Sequence, residues 1–166
     1  MNLVVTNLAK SGIAAAVLLV AGICFWGAFK PAVRQTRRPL TIQQAETSCP
    51  ISLPAEATNI MYAEYSDWIV YHCYVRFEVP HEIGLVYARR VFREHAKKMK
   101  WSFREPVRVP IQPPVTFDFD PPPELQIAWF DVNQIRNGET FGELNSWQPQ
   151  VWIDFDRNLF FFCLTD

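Results

Sequence analysis

The sequence predicts an α+β protein: an N-terminal transmembrane helix followed by a two-layer domain, an antiparallel sheet with one main helix in the order β-β-α-β-β-β. Three observations carry this. Gly12 to Phe29 is an uncharged apolar run, Trp68 to Val79 alternates as a strand, and Pro80 to Lys100 has helical periodicity.

The run GIAAAVLLVAGICFWGAF holds eighteen residues between Lys10 and Lys30. At helical rise it covers roughly 27 Å, close to a bilayer's hydrocarbon thickness, and Phe25, Trp26 and Phe29 place aromatics at one interface. Cleavage as a signal peptide fits less well, since ending at Ala28 puts Trp26 where a small residue belongs. Cys24 invites a lipid anchor, but Ile23 precedes it where a small residue is expected. Lys30, Arg34, Arg37 and Arg38 follow the run, and by the positive-inside rule they favour a cytoplasmic domain.

This divides the chain into a flank (1–11), a membrane helix (12–29), a stalk (30–48) and one domain (49–166). The stalk follows from RQTRRPLTIQQAETS, which is poor in apolar residues. Apolar residues make up 49% of the chain and aromatics 14%, enough to bury a core and to exclude disorder. Residues 1–114 hold 14 basic and 8 acidic side chains, and 115–166 hold 2 and 9, so two oppositely charged parts give the net −1. Cys49, Cys73 and Cys163 allow at most one disulfide, with no zinc spacing.

Thr58 to Tyr65 and Trp68 to Val79 flank a Ser66-Asp67 break and predict a hairpin. Alternation puts Ile69, Tyr71, Cys73, Val75 and Phe77 on the core face, and Val70, His72, Tyr74, Arg76 and Glu78 on the other. Pro80 opens the helix, Glu82 favours its N-terminus, and Lys97, Lys98 and Lys100 favour its C-terminus. Leu85, Ala88, Val91, Phe92, Ala96 and Met99 share its apolar arc. The neighbouring arc, Arg89, Arg90, Arg93, Lys97 and Lys100, is a candidate contact for a protein partner or anionic lipid headgroups. Aromatics do not interleave it, which argues against nucleic acid.

Seven prolines in Arg104 to Pro123 exclude a helix and predict an extended wrapping loop with short edge strands at most. Leu125 to Val132 reads as a strand, Asn137-Gly138 as a turn, and Gln150 to Asp154 with Leu159 to Leu164 as a closing hairpin.

Chemistry is harder to place. His72 and Cys73 are strand neighbours and point apart, and His81 and His95 are roughly 21 Å apart along a helix. Asp154, Asp156 and Asn158 echo a calcium loop, yet Leu159 stands where glycine is needed, so turn chemistry accounts for them. Asp118 and Asp120 share a face of any short strand, without a third group to complete an acid-base site. No cofactor is expected.

LPAEATNI (Leu53 to Ile60), YVRFEVP (Tyr74 to Pro80) and VWID (Val151 to Asp154) together resemble a group of uncharacterised bacterial proteins. There, a small α+β domain follows a single membrane helix or a lipoprotein signal, and the resemblance covers roughly residues 50–166. It implies an extracytoplasmic domain, against the charge count, and no activity. The expected function is a non-enzymatic binding domain held at the bacterial cell envelope by residues 12–29 in the lipid bilayer. Alternatives are an immunity-type protein that neutralises a toxin at the membrane and a cytoplasmic structural subunit of a membrane complex.

Overall fold

The computed structural model describes residues 31–100, 102–113, 115, 121–142 and 149–165. In chain order these form β1 (Ala32–Gln35), α1 (Ile42–Glu46), β2 (Thr58–Ser66), β3 (Tyr71–Glu78), α2 (His81–Lys98), β4 (Arg108–Pro110), a 3-10 turn (Val132–Gln134), β5 (Gly138–Phe141), β6 (Gln150–Asp154) and β7 (Leu159–Thr165). No helix among the described residues is long and apolar enough to cross a membrane. The apolar run from Gly12 to Phe29 lies outside them.

The fold class is α+β, with one antiparallel sheet in the order β1-β2-β3-β7-β6-β5-β4. The expected hairpin forms as β2 and β3, from Ser66↔Tyr71 at its closed end to Thr58↔Glu78. A bulge near the open end accommodates Asn59 in the left-handed region, φ 49°. The closing hairpin forms as β6 and β7, with Asn158 left-handed at its turn, φ 53°.

One face of the sheet packs on α2. Cys73, Val75, Phe77, Val151, Ile153, Phe160 and Phe162 meet Tyr87, Ala88, Val91 and Phe92 there, all buried. Phe77 stacks on Phe160 at 4.8 Å and Tyr87 abuts both edge-on. Each such side chain contributes about 1.5–3 kcal/mol through burial. Ile69, expected in this set, is instead 64% exposed. The turn extends through residue 70 because Asp67 Oδ1 accepts from the amides of Ile69 and Val70, which lifts Ile69 out of the pleat.

The other face is covered too. Tyr74, Phe161, Cys163 and Trp152 pack under Leu125, Ile127, Phe130, Val132 and Ile135, so the centre of the sheet is buried on both sides and the two-layer expectation is too simple. Leu125 to Val132 is not a strand. Tight turns and a 3-10 turn break it, and its apolar residues serve as a cover while Arg76 donates to the Trp129 carbonyl at 3.1 Å. The strand that follows α2 and β4 is β5, which begins at Gly138. A Cβ there would sit 2.0 Å from the Ile153 carbonyl oxygen, so only glycine admits this approach.

Residues 32–48 are no stalk. β1 pairs with β2 from Ala32↔Ser66 to Gln35↔Ala63, Leu40 bridges Ile60, and Ala45 of α1 is fully buried. The polar composition misled because β1 is an edge strand whose side chains are mostly exposed. α1 starts from a capping box between Thr41 and Gln44. The compact unit therefore runs from Ala32 to Asp166.

Candidate functional site

α2 faces its core with Gly84, Tyr87, Ala88, Val91, Phe92 and Ala96, which leaves the expected basic arc in solvent. Arg89, Arg90, Arg93, Lys97 and Lys100 are all exposed, but they are not equivalent. Arg89 Nε lies 2.9 Å from Glu105, Arg90 Nε lies 3.0 Å from Glu94, and the Arg93 guanidinium lies over the Phe103 ring at 5.3 Å. Exposed pairs of this kind contribute about 0–1 kcal/mol. Their main effect is to fix side chains, and the two ion pairs also neutralise charge. Lys97, Lys98 and Lys100, by contrast, form no ion pair with any described residue. They surround the carbonyl end of α2, where positive charge is favoured. Lys100 itself is left-handed, φ 57°, the position after a helix that glycine fills most easily.

A groove of about 310 Å³ opens between the first half of α2 and the outer strands of the sheet. Leu85, Val86 and Phe141 line it, with His81, Glu82, Arg89 and Arg108 around them. Val86 is 73% exposed although it sits one turn from buried positions. Arg108 binds Glu139 through two nitrogens, with Nη2 at 2.6 Å from Oε1, which holds its side chain along the groove. Beside the groove β4 is the last strand of the sheet among the described residues. The amide of Gly142 donates to Val107 and that of Ile111 to Gly138, so by alternation the N–H and C=O of Arg108 point away from β5. Pro110 shortens this edge because it has no donor.

The acidic candidates separate. Asp118 and Asp120 lie outside the described residues. Asp154 is 1% exposed and accepts from the amides of Asp156 and Arg157, at 3.0 and 3.1 Å, and from Arg157 Nε at 2.6 Å. Arg157 reaches on to Asp131 at 2.6 Å, and Asp156 accepts from Asn137 at 2.8 Å. Asp154 and Arg157 tie the β6–β7 turn to Asp131 ahead of the 3-10 turn, while Asp156 is exposed.

Cys49, Cys73 and Cys163 are free thiols. Cys73 stands opposite Leu164 and Cys163 opposite Tyr74, so their sulfurs lie on different faces of the sheet. Burial pushes the Cys49 and Cys163 thiols up to about 12 and Cys73 well above the usual range, the reverse of an activated nucleophile. His72 Nδ1 lies 3.3 Å from the Thr165 hydroxyl, away from Cys73. No group of three metal-ligating side chains occurs among the described residues.

Sequence reasoning found the basic arc from its 3.6-residue period. It missed Val86, Arg108 and Phe141, which are far apart in the chain, and Trp68 and Ile69, which it read as strand. The Asp67 side chain, a turn-former ahead of Trp68, was the available signal for the latter pair. Comparison of the chain with protein-family models, with curated proteins and with solved structures finds no match.

Proposed function

We propose that the protein is a membrane-tethered, non-enzymatic binding domain whose partner is a protein segment added in extended form along β4. The observation that carries this reading is the backbone edge at Arg108, on the last strand among the described residues, lying directly beside the apolar groove of Leu85, Val86 and Phe141. An added strand would satisfy the outward N–H and C=O of Arg108, and a side chain on its α2-facing side would enter the groove, the geometry of strand addition. The tether is the apolar run from Gly12 to Phe29, and the ionic networks of Asp154 and Arg157 are structural.

Binding of extended peptides bearing alternate apolar residues to the detergent-solubilised full chain tests this. Val86→Asp is expected to weaken binding on the order of tenfold by placing a charge in the groove, and Arg108→Pro comparably by removing an outward donor that the sheet does not use. Peptides that bind equally well to both variants would overturn strand addition. Turnover of a substrate that is abolished by Asp118→Asn or Asp154→Asn would instead make the protein an enzyme.

A further inference from the structure

The end of the sheet at which β1 begins gathers three features that nothing in the strand-addition reading uses. The first is the β2–β3 turn, where Trp68 is 71% exposed and Ile69 is 64% exposed. Two adjacent large apolar side chains at a hairpin tip are costly to leave in water. The tip is also held in shape: Asp67 Oδ1 accepts from the amides of Ile69 and Val70 at 2.8 and 2.7 Å, and its own amide donates to the Val70 carbonyl at 3.0 Å.

The second is where the chain arrives. Ala32 pairs with Ser66, the last residue before that turn. The apolar run ends at Phe29, three residues before Ala32, with only Lys30 and Pro31 between. In the sequence, then, the run that the tether reading assigns to the bilayer is separated by two residues from the strand that pairs at the hairpin tip.

The third is positive charge. α2 starts beyond the end of β3 and runs back over the sheet. A Cβ on Gly142 would be 3.6 Å from the Phe92 ring, and His95 and Ala96 share a small cavity with Pro149, just before β6. The helix therefore finishes at the same end of the sheet as the tip, and carries Lys97, Lys98 and Lys100 there. The acidic group at the tip, Asp67, is already occupied by the two turn amides and by the Tyr65 hydroxyl at 3.2 Å.

We infer that this end of the domain docks on an anionic bilayer, with Trp68 and Ile69 entering the interfacial layer and Lys97, Lys98 and Lys100 meeting lipid phosphates. The inference rests on the tether reading and deepens it. Tryptophan favours the membrane–water boundary, having an apolar ring with a polar N–H, and lysines near an anionic surface are attracted within a Debye length, about 10 Å at 0.1 M salt. Docked in this way, β4 and its groove, on the outermost strand across the sheet, stay open to a protein partner.

The test uses the full chain, with Cys24 and Cys49 replaced by serine, reconstituted in vesicles containing phosphatidylglycerol. A polarity-sensitive fluorophore is attached through Ile69→Cys or, as the reference, Val86→Cys, both exposed positions. Nitroxide lipids labelled near the headgroup are expected to quench position 69 on the order of threefold more strongly than position 86, because interfacial side chains sit only about 5–10 Å deep. Joint reversal of Lys97, Lys98 and Lys100 to glutamate, or replacement of phosphatidylglycerol by phosphatidylcholine, is expected to remove most of that difference. Equal quenching at the two sites, or a difference that survives both changes, overturns the docking. Carbonate extraction reports the tether separately: release of the chain overturns tether and docking together, whereas a retained chain without quenching at position 69 overturns the docking alone.

Discussion

A carboxylate shapes a hairpin turn at each end of the sheet, yet the two ends differ in what surrounds it. At the β6–β7 turn, Asp154 is buried and receives two backbone amides and the Arg157 guanidinium, which continues to Asp131. Asn158 accepts there from the amide of Val79, just before α2 begins, so one turn ties hairpin, helix start and cover together. At the β2–β3 turn a single carboxylate, Asp67, shapes the backbone, while Trp68, Ile69 and the three lysines ending α2 face solvent. The contrast separates an end whose carboxylate is buried in the fold from an end whose large side chains are exposed.

Substitutions at the two ends can break that contrast. Asp154→Ala is expected to cost about 3–4 kcal/mol in urea unfolding, because it leaves Arg157 and two amides without their acceptor in a mostly buried setting. A loss below about 1 kcal/mol would mean that the network is incidental. Gly138→Ala, at the same end, is expected to cost about 3 kcal/mol, since its Cβ would meet the Ile153 carbonyl oxygen at 2.0 Å and β5 must move. A thermal midpoint at the native value would show that β5 shifts freely.

Acidification sharpens the comparison from the other end. Burial holds the His72 imidazole below its ordinary 6.5, with the Asp67 carboxylate opposing the shift in part. The unfolded chain therefore takes up the proton first. The contribution of neutral His72 is complete above pH 6.5 and is lost as pH falls through the lower folded value. Urea midpoints measured from pH 7.5 to 5 are expected to decline, and His72→Gln to flatten that part of the decline; an unchanged slope in the variant would assign it elsewhere.

The smallest effects belong to the exposed groups. Lys100→Gly is expected to raise stability by about 0.5 kcal/mol, by relieving a left-handed lysine after α2. Trp68→Ala and Ile69→Ser are expected to change stability by no more than about 0.5 kcal/mol while reducing contact with anionic vesicles. A large destabilisation from either would place the tip among the residues that hold the fold.

The legibility of these features followed their range along the chain. β3, α2 and the basic arc announce themselves through a local period of two or 3.6 residues, and the β6–β7 hairpin through two apolar runs that bracket Asp156-Arg157-Asn158. β1 was hidden because an edge strand, with one neighbour and exposed side chains, has no hydrophobic alternation to detect. β5 is four residues long and depends on Gly138 approaching Ile153, a contact between segments fifteen positions apart.

By itself, the sequence determined the α+β class, the position of the main helix, the two hairpins and an apolar run of membrane-spanning length, because each is written in the spacing of neighbouring residues. Only the tertiary structure decided that Leu125 to Val132 caps a sheet face instead of joining the sheet, and that residues 32–48 belong to the domain. It also decided that Arg89 and Arg90 of the basic arc form ion pairs with described residues, whereas Lys97 and Lys100 do not. The physical reason is the same in each case: burial, ion pairing and the course of a helix over a sheet depend on residues far apart in the chain, and local periodicity holds no record of them.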